Sequence, residues 1–180
     1  MKKQIKHSIS LISAFVFVLI LSACGSSSES AQSGITLEVG KVINFSEDIT
    51  GGREDGWSLP DNGGTWSQSK SAILRFNYGD DFANGMNLKI KAMGFIANEE
   101  KTTDVIISAN GIEVKKIEFS SAQRSADISI DISEEILSTN GSQLILSFSI
   151  PGAVSPVSLG RNSDVRKLGI FLLELIPNKI

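Results

Sequence analysis

Apolar and polar side chains alternate along most of the chain after residue 34. In the clearest stretch, Ile128, Ile130 and Ile132 alternate with aspartate and serine side chains. Successive side chains of a β-strand point to opposite faces, so a period of two indicates a strand with one buried face. The pattern predicts seven such strands, at 35–45, 72–78, 88–92, 105–109, 112–119, 127–132 and 144–150.

Three further signals complete the predicted architecture. Asn110-Gly111 predicts a tight hairpin, because both turn positions need a positive φ. The run 168–176 is nearly all apolar, which predicts a central strand covered on both faces. Only 133–137 looks helical, with Ser133 as its cap and two glutamates in its first turn. It would form one or two helical turns.

About eight short strands with at most one short helix predict an all-β fold. The expected architecture is an antiparallel β-sandwich of the jelly-roll type. Residues 35–180 are numerous enough to form one domain with a normal hydrophobic core.

The first 23 residues have the pattern of an export signal. Three lysines precede an apolar run at 9–21, which is shorter than the roughly 20 apolar residues of a membrane-spanning helix. The run ends in Leu21-Ser22-Ala23-Cys24, which resembles the lipobox of bacterial lipoproteins. The resemblance implies that the Cys24 thiol receives a diacylglycerol, that the chain is cut before Cys24, and that the new amine is acylated. The alternative is an ordinary cleaved signal peptide in which Cys24 is incidental.

The segment after Cys24 is rich in glycine, serine, alanine and glutamine. Such a composition forms no core, so residues 24–34 are predicted to be a flexible tether with a mean span of about 18 Å. Gly25, where other lipoproteins carry Asp, resembles the outer-membrane pattern of Gram-negative bacteria. The expected location is therefore the cell envelope, with a lipid anchor in the outer membrane if the host is Gram-negative.

Charge and residue usage narrow the function. The predicted signal holds three of the 17 Lys and Arg residues, so residues 24–180 carry 14 basic and 20 acidic side chains. This acidic balance disfavours nucleic acid as a partner. The single His, His7, and the single Cys, Cys24, fall outside 35–180. Ser-His-Asp and Cys-His catalysis and the usual zinc and haem sites are thereby excluded, and we expect a non-enzymatic domain without a cofactor or a metal.

The first candidate binding segment is 55–66, which contains both tryptophans, several turn formers and Pro60. Binding residues concentrate on loops that a rigid scaffold holds in place. The faces of Trp57 and Trp66 could stack on the C–H faces of sugar rings, while polar neighbours bond the hydroxyls. The candidates for those bonds are Asp55, Asp61, Asn62 and Gln68. The alternative is that both tryptophans close the core, since Trp is highly buried on average.

The second candidate segment is 155–169. Asp164 and Arg166 are two residues apart, so in an extended chain they share a face and can pair or grip a polar ligand. A pair that only fixes the loop is the simpler interpretation. Arg161 is the freer guanidinium and a possible ligand contact.

Two other chemistries are weaker alternatives. The acidic turn at 79–85 includes Asp80 and Asp81, whose oxygens could bind calcium, although the spacing does not fit an EF-hand loop. A solvated turn is the default interpretation. Glycoside hydrolysis needs two carboxylates facing each other across a cleft, and no pair stands out in the sequence.

Several short motifs together resemble an uncharacterised bacterial β-sandwich domain found at the non-catalytic ends of membrane glycosyltransferases and in related cell-surface polysaccharide proteins. The motifs span residues 53–176, and the family has no assigned catalytic residues. The resemblance implies a carbohydrate-binding-like domain that works near glycans. Its motifs are Gly56-Trp57-x-x-Pro60, Gly64-Thr65-Trp66-Ser67, Ala72-x-Leu74, Asn110-Gly111, Ser155-Pro156-x-x-Leu159-Gly160 and Asp164-x-Arg166-x-Leu168-Gly169.

The leading hypothesis is a lipid-anchored, non-catalytic protein that binds a glycan where the segments 55–66 and 161–166 meet. The alternative is a protein-interaction module, an accessory subunit of a cell-envelope or polysaccharide assembly. Its mark would be an exposed apolar patch around the tryptophans, whereas a concave polar cleft would favour the glycan.

Overall fold

The computed structural model describes residues 34–47 and 51–180. Within these residues, ten β-strands carry nearly all of the regular structure, and they are joined by one short α-helix and two 3-10 turns. The strands are β1 (Ile35–Thr36), β2 (Ile43–Asn44), β3 (Thr65–Trp66), β4 (Ser71–Asn77), β5 (Gly85–Gly94), β6 (Thr103–Ala109), β7 (Ile112–Phe119), β8 (Ser125–Ser133), β9 (Gln143–Ser149) and β10 (Ile170–Lys179), and the helix is α1 (Glu134–Ser138). The 3-10 turns are Asp80–Phe82 and Val157–Leu159.

The strands form two sheets. Sheet 1 has the order β1-β4-β9-β6-β7, and sheet 2 has the order β2-β10-β5-β8, with β3 also pairing with β10. All pairs are antiparallel except β1 with β4. Except in the β6–β7 hairpin, neighbours in each sheet are distant in sequence, as in a jelly roll. The predicted all-β jelly-roll sandwich is confirmed.

The core lies between the two sheets. Alternate side chains of β4, β5, β6, β8 and β9 point inward and are almost fully buried, which is the main favourable contribution to folding. Phe82 from the first 3-10 turn and Leu137 from α1 join this core. The largest buried side chains include Phe45, Phe76, Phe119, Phe148, Leu74, Met86, Leu88, Ile90, Ile107, Ile130 and Ile132.

The predicted hairpin and helix are confirmed. Asn110 and Gly111 have φ values of 48° and 85°, and they join β6 to β7. The Asn110 amide donates to the carbonyl of Ile136 at 3.0 Å and accepts from the N–H of Ile145 at 2.8 Å, so the turn also fixes α1 and β9. The Ser133 hydroxyl caps α1 by accepting from the N–H of Ile136.

The predicted strand 35–45 is wrong as one element. It is divided into β1, which pairs in sheet 1, and β2, which pairs in sheet 2. Gly40 has a φ of 73°, which a turn tolerates and a strand does not, and its N–H donates to the carbonyl of Pro177. The segment therefore crosses from one sheet to the other.

The apolar run 168–176 is the interior strand β10, as predicted, but the prediction that it is covered on both faces is wrong. Leu172 and Leu175 point into the core. On the outer face, Phe171 is covered by neighbours, whereas Glu174 and Ile176 stay half-exposed.

The predicted signal peptide at 1–23, the lipidated Cys24 and all of the predicted tether except Gly34 lie outside the described residues. In the part of the chain that the structure describes, no helix is long and apolar enough to cross a membrane.

Candidate functional site

The segment around the tryptophans is a hairpin rather than an irregular loop. Trp57 pairs with Ser67, the N–H of Ser58 donates to the carbonyl of Trp66 at 2.9 Å, and Asp61 pairs with Gly64 at the turn. Trp57 and Ser67 face each other across the hairpin, so they share its inner side. Trp66 precedes Ser67 in an extended chain and therefore points to the opposite side.

Trp57 belongs to the core. It is 5% exposed, its ring meets that of Phe148 edge to face at 5.2 Å, and its indole N–H donates to the carbonyl of Ile73 at 3.0 Å. A buried ring whose N–H is already bonded has no face for a sugar. The sequence-based choice of Trp57 as a ligand-binding residue is therefore corrected, and its role is to join the hairpin to the core.

Trp66 lies on the outer face of sheet 2 and is partly exposed. Its ring lies 4.7 Å from that of Phe171, tilted by 40°, and 6.1 Å from that of Phe95, edge to face. We call Trp66, Phe95 and Phe171 the aromatic cluster. Such offset and edge-to-face pairs are favourable, and they hold Trp66 in place at the surface.

Gly64 allows this cluster to form. A Cβ at position 64 would lie 2.1 Å from the carbonyl oxygen of Leu172 and 2.9 Å from the ring of Phe171. Any side chain there would push the hairpin away from β10. The glycine thus permits the close approach that brings Trp66 over Phe171.

Arg161 is not the free guanidinium that the sequence suggested. It lies over the ring of Phe95, 5.4 Å from the ring centroid, and donates to the carbonyls of Ile96, at 3.1 Å, and Ala97. These bonds use much of its donor capacity. Arg161 therefore fixes the 95–97 loop against the aromatic cluster, and its availability to a ligand is smaller than predicted.

Asp164 and Arg166 form the predicted pair. The Arg166 Nη2 and Asp164 Oδ2 atoms are 2.7 Å apart, and Nε also donates to the carboxylate. The hydrogen bond from Arg166 holds the pKa of Asp164 below its ordinary value. The same bond raises the pKa of Arg166, and the charge of Asp61 adds to that effect. The structure thus gives this pair a loop-fixing role and places it near the hairpin turn.

The remaining predicted residues separate into two groups. Asp61 and Asn62 are exposed at the hairpin turn, where the Asp61 carboxylate accepts from the N–H of Asn62 at 2.7 Å. The carbonyl of Gln68 accepts from the N–H of Lys167, so the chain just after the first candidate segment lies beside the second segment. Asp55 lies instead beside β4 in sheet 1, where its carbonyl accepts from the N–H of Ile73. Its grouping with Trp66 is corrected.

A second feature, which the sequence analysis missed, is the outer face of sheet 2 beyond the aromatic cluster. Outward side chains of β10, β5 and β8 line two adjoining depressions of about 400 and 170 Å³ that share Lys91 and Asp127. We call this surface the outer trough. It is lined by Lys89, Lys91, Asp127, Ser129, Glu174 and Ile176, and at its smaller depression by Ser125 and Leu173.

The polar positions that form the outer trough were visible in the sequence as the solvent-facing half of each alternating pattern. The register in which β10, β5 and β8 pair could not be predicted from the sequence. The strand pairings place Glu174, Lys91 and Asp127 in one row and Ile176, Lys89 and Ser129 in the next. Lys91 pairs with Glu174 at 2.8 Å, and this bond, together with the charges of Glu174 and Asp127, raises the pKa of Lys91.

The acidic turn that could have bound calcium is part of a 3-10 turn. Asp81 pairs with Lys179, with 2.6 Å between Oδ1 and Nζ. Among the described residues, no group of three or more His, Cys, Asp or Glu side chains is arranged to hold a metal ion.

No family model matches this chain. No curated protein matches it either. Solved structures do match. The insecticidal delta-endotoxin Cry8Ea1 from Bacillus thuringiensis is 17% identical over 80% of this chain, with a TM-score of 0.48, and this chain spans only 25% of the endotoxin.

Two further matches are carbohydrate-binding proteins of similar size. CsCBM6-3 from Clostridium stercorarium, solved with cellobiose, is 11% identical over 82% of this chain and 98% of its own, with a TM-score of 0.43. The carbohydrate-binding module CBM36, solved with calcium and xylotriose, is 8% identical over 82% and 96%, with a TM-score of 0.39.

Proposed function

We propose that this protein is a lipid-anchored, non-catalytic envelope protein that binds a glycan through the aromatic cluster. The observation that carries the proposal is Trp66, which is held partly exposed on the outer face of sheet 2 by Phe95 and Phe171. An aromatic ring kept at the surface is a platform for the C–H face of a sugar, because the two apolar surfaces leave water together.

Polar groups near this platform can bond the sugar hydroxyls. The exposed carboxylate of Asp61 and the amide of Asn62 lie on the hairpin turn that precedes Trp66. The charge of Asp61 acts on Arg166, so the Asp164–Arg166 pair borders the same region. A few convergent polar groups beside an aromatic surface are what a saccharide site requires.

The proposed lipid anchor would place the binding site close to a membrane of the cell envelope. Lipid on Cys24 would hold the domain within a tether length of about 18 Å from the membrane. One acyl chain gives only marginal membrane residence, so several chains suit a permanent position. The partners are then polysaccharides that come within reach of that surface.

The test uses the full-length protein in a detergent without a sugar headgroup. Affinity electrophoresis in gels containing xylan, galactomannan, mixed-linkage glucan or dextran should show retardation by at least one polymer. The Trp66→Leu variant, which keeps an apolar side chain over Phe171, should migrate freely. Ser142→Ala, an exposed change between α1 and β9, is the control and should be retarded as strongly as the wild-type protein. Equal migration of the wild-type protein in every gel and in a sugar-free gel would refute the proposal.

The alternative function, interaction with an envelope protein, has one specific observation in its favour. Leu59 and Val165 are 78% and 75% exposed, on the two segments that border the aromatic cluster. Exposed apolar side chains that adjoin one another mark protein interfaces, and each of these two segments carries one. Chemical cross-linking in membranes should then recover a stoichiometric partner that a Leu59→Ser, Val165→Ser variant loses and that added sugars do not displace.

A further inference from the structure

The outer trough begins at the aromatic cluster. Strand pairing aligns Phe171, Met93 and Ser125 in one row across β10, β5 and β8, and Trp66 extends that row from β3. The next rows are Glu174, Lys91 and Asp127, then Ile176, Lys89 and Ser129, then Asn178, Asn87 and Asp131. The aromatic cluster and the trough are thus consecutive parts of one surface.

The dimensions of this surface suit a chain rather than a single sugar. Six residues of β5 separate the first row from the last, and a strand rises 3.3–3.4 Å per residue, so the rows extend over about 20 Å. The depressions of about 400 and 170 Å³ lie along this track. A linear chain of several pyranose rings would cross every row.

The charges of the trough select an uncharged occupant. The two middle rows carry two lysines and two carboxylates, so their net charge is zero. Lys91 is already paired with Glu174 at 2.8 Å, and Asp127 lies on its other side in the register. A polyanion would meet Asp127 and Glu174, and a polycation would meet both lysines, so each would bury like charges together.

The polar groups suit hydroxyls. The trough offers the hydroxyl of Ser129, the ammonium of Lys89 and the carboxylate of Asp127, while Ile176 supplies half-buried apolar surface. The Asn87 amide donates to the Ser129 hydroxyl at 2.8 Å and to the Asp131 carboxylate at 2.6 Å, which orients both. Hydroxyls both donate and accept, so they can bond to all of these groups.

We propose that the outer trough is the extended part of the binding site, and that it takes a linear, uncharged polysaccharide whose chain starts on Trp66 and runs along β5. This inference rests on the proposed function, because it assumes that Trp66 binds a sugar. It adds the direction of the chain, its charge class and the residues that bind the later rings.

The experiment measures affinity against chain length. Isothermal titration of the full-length protein uses oligosaccharides of two to six residues prepared from xylan, galactomannan, mixed-linkage glucan and dextran. The dissociation constant should fall at least about tenfold between the disaccharide and the hexasaccharide of one series, equivalent to about 1.4 kcal/mol. The value should change little between 50 and 500 mM salt, because an uncharged ligand has no ion pairs to screen. Oligogalacturonates should bind more weakly than the uncharged series.

Ser129→Tyr fills the trough away from the aromatic cluster. It should abolish the gain in affinity with oligosaccharide length, while the dissociation constant for the disaccharide stays within twofold of the wild-type value. Ser149→Tyr places the same side chain at an exposed strand position of sheet 1 and is the matched control. If Ser129→Tyr fails to fold in a thermal unfolding measurement, Lys89→Ala, an exposed change in the same row, should reduce hexasaccharide affinity severalfold.

The outcomes separate the two proposals. If disaccharide and hexasaccharide bind equally, and Trp66→Leu abolishes both, the site is confined to the aromatic cluster and the trough proposal is overturned while the proposed function stands. Unchanged length dependence in Ser129→Tyr also overturns it. If no saccharide binds the folded protein, both proposals fall together.

Discussion

Trp57 and Trp66 are nine residues apart and lie on the two arms of one hairpin, yet their surroundings are opposite. Trp57 is 5% exposed and meets Phe148 in the core, whereas Trp66 is partly exposed on the outer face of sheet 2. The pairing of Trp57 with Ser67 decides this difference, because it assigns neighbouring residues 66 and 67 to opposite sides.

The comparison separates two uses of the same side chain. In the core, a tryptophan contributes buried area and needs a partner for its N–H, which Ile73 supplies. At the surface, a tryptophan that packs on other rings is held in one orientation by those contacts, and its exposed apolar area remains available to a ligand. Mutations of Trp57 should therefore mainly lower the stability of the fold, whereas mutations of Trp66 should mainly weaken binding.

The largest expected effect is that of Trp57→Ala. Removing a buried ring leaves a cavity and takes away one of the two hydrogen bonds to the Ile73 carbonyl, so the free energy of unfolding should fall by about 3–5 kcal/mol. Urea unfolding followed by circular dichroism measures this value. Trp57→Phe, which keeps a ring beside Phe148, should lose less than half as much. A loss below about 1 kcal/mol for Trp57→Ala would contradict a core position.

The next effect is that of Gly64→Ala. The new Cβ would lie 2.1 Å from the Leu172 carbonyl oxygen, so the hairpin has to shift away from β10, at a cost of about 1–3 kcal/mol. Gly152→Ala is the matched control, because nothing lies within 4 Å of the Cβ there and its φ is not positive. The two variants are compared by thermal unfolding and by the gel retardation that tests Trp66. Equal stability would mean that the hairpin does not pack closely on β10.

The alternation of side chains was sufficient to predict most strands, because most of the long strands have one buried face. It failed where pairing depends on distant residues. The 35–45 segment alternates, but the turn at Gly40 carries it from one sheet to the other. Similarly, the burial of Phe171 on the outer face of β10 is explained only by the contact of its ring with Trp66 from the neighbouring strand β3.

The candidate site was predicted in part. The sequence indicated that the two loop segments meet, and Asp61, Trp66 and the Asp164–Arg166 pair are near one another. Asp55 and Trp57 could not be assigned without the hairpin register. Phe171 was missed because apolar residues in predicted strands are ordinarily core residues. Phe95 was missed because it lies outside every predicted strand and both candidate segments. The outer trough was missed because a row across three strands is a property of the sheet and not of any one segment.

A smaller effect on stability is expected for Trp66→Leu, which sharpens the comparison with Trp57. The variant loses the ring contacts with Phe95 and Phe171, each worth about 0.5–1.5 kcal/mol, and keeps part of the apolar cover. The free energy of unfolding should fall by about 1–2 kcal/mol, against a larger loss for Trp57→Leu measured in parallel. If the order of the two leucine variants were reversed, Trp66 would be a structural residue and the aromatic cluster would lose its proposed role.

The smallest effect is that of Asp164→Asn, and it depends on pH. The pKa of Asp164 is lower in the folded chain than in the unfolded one, so its pair with Arg166 stabilises the fold above the ordinary Asp value of about 3.9. This contribution is lost as the pH falls through the lower, folded value. At pH 7 the variant should be less stable by about 0.2–1 kcal/mol, as for other partly exposed ion pairs. In urea unfolding, the difference in stability between the wild-type protein and Asp164→Asn should shrink steadily below pH 4.

Asp55→Asn, which changes an exposed carboxylate beside β4, is the matched control and should change stability by less than about 0.5 kcal/mol at pH 7. If the Asp164→Asn difference instead grew as the pH fell, the pair would not be what holds the 161–166 loop beside the hairpin turn.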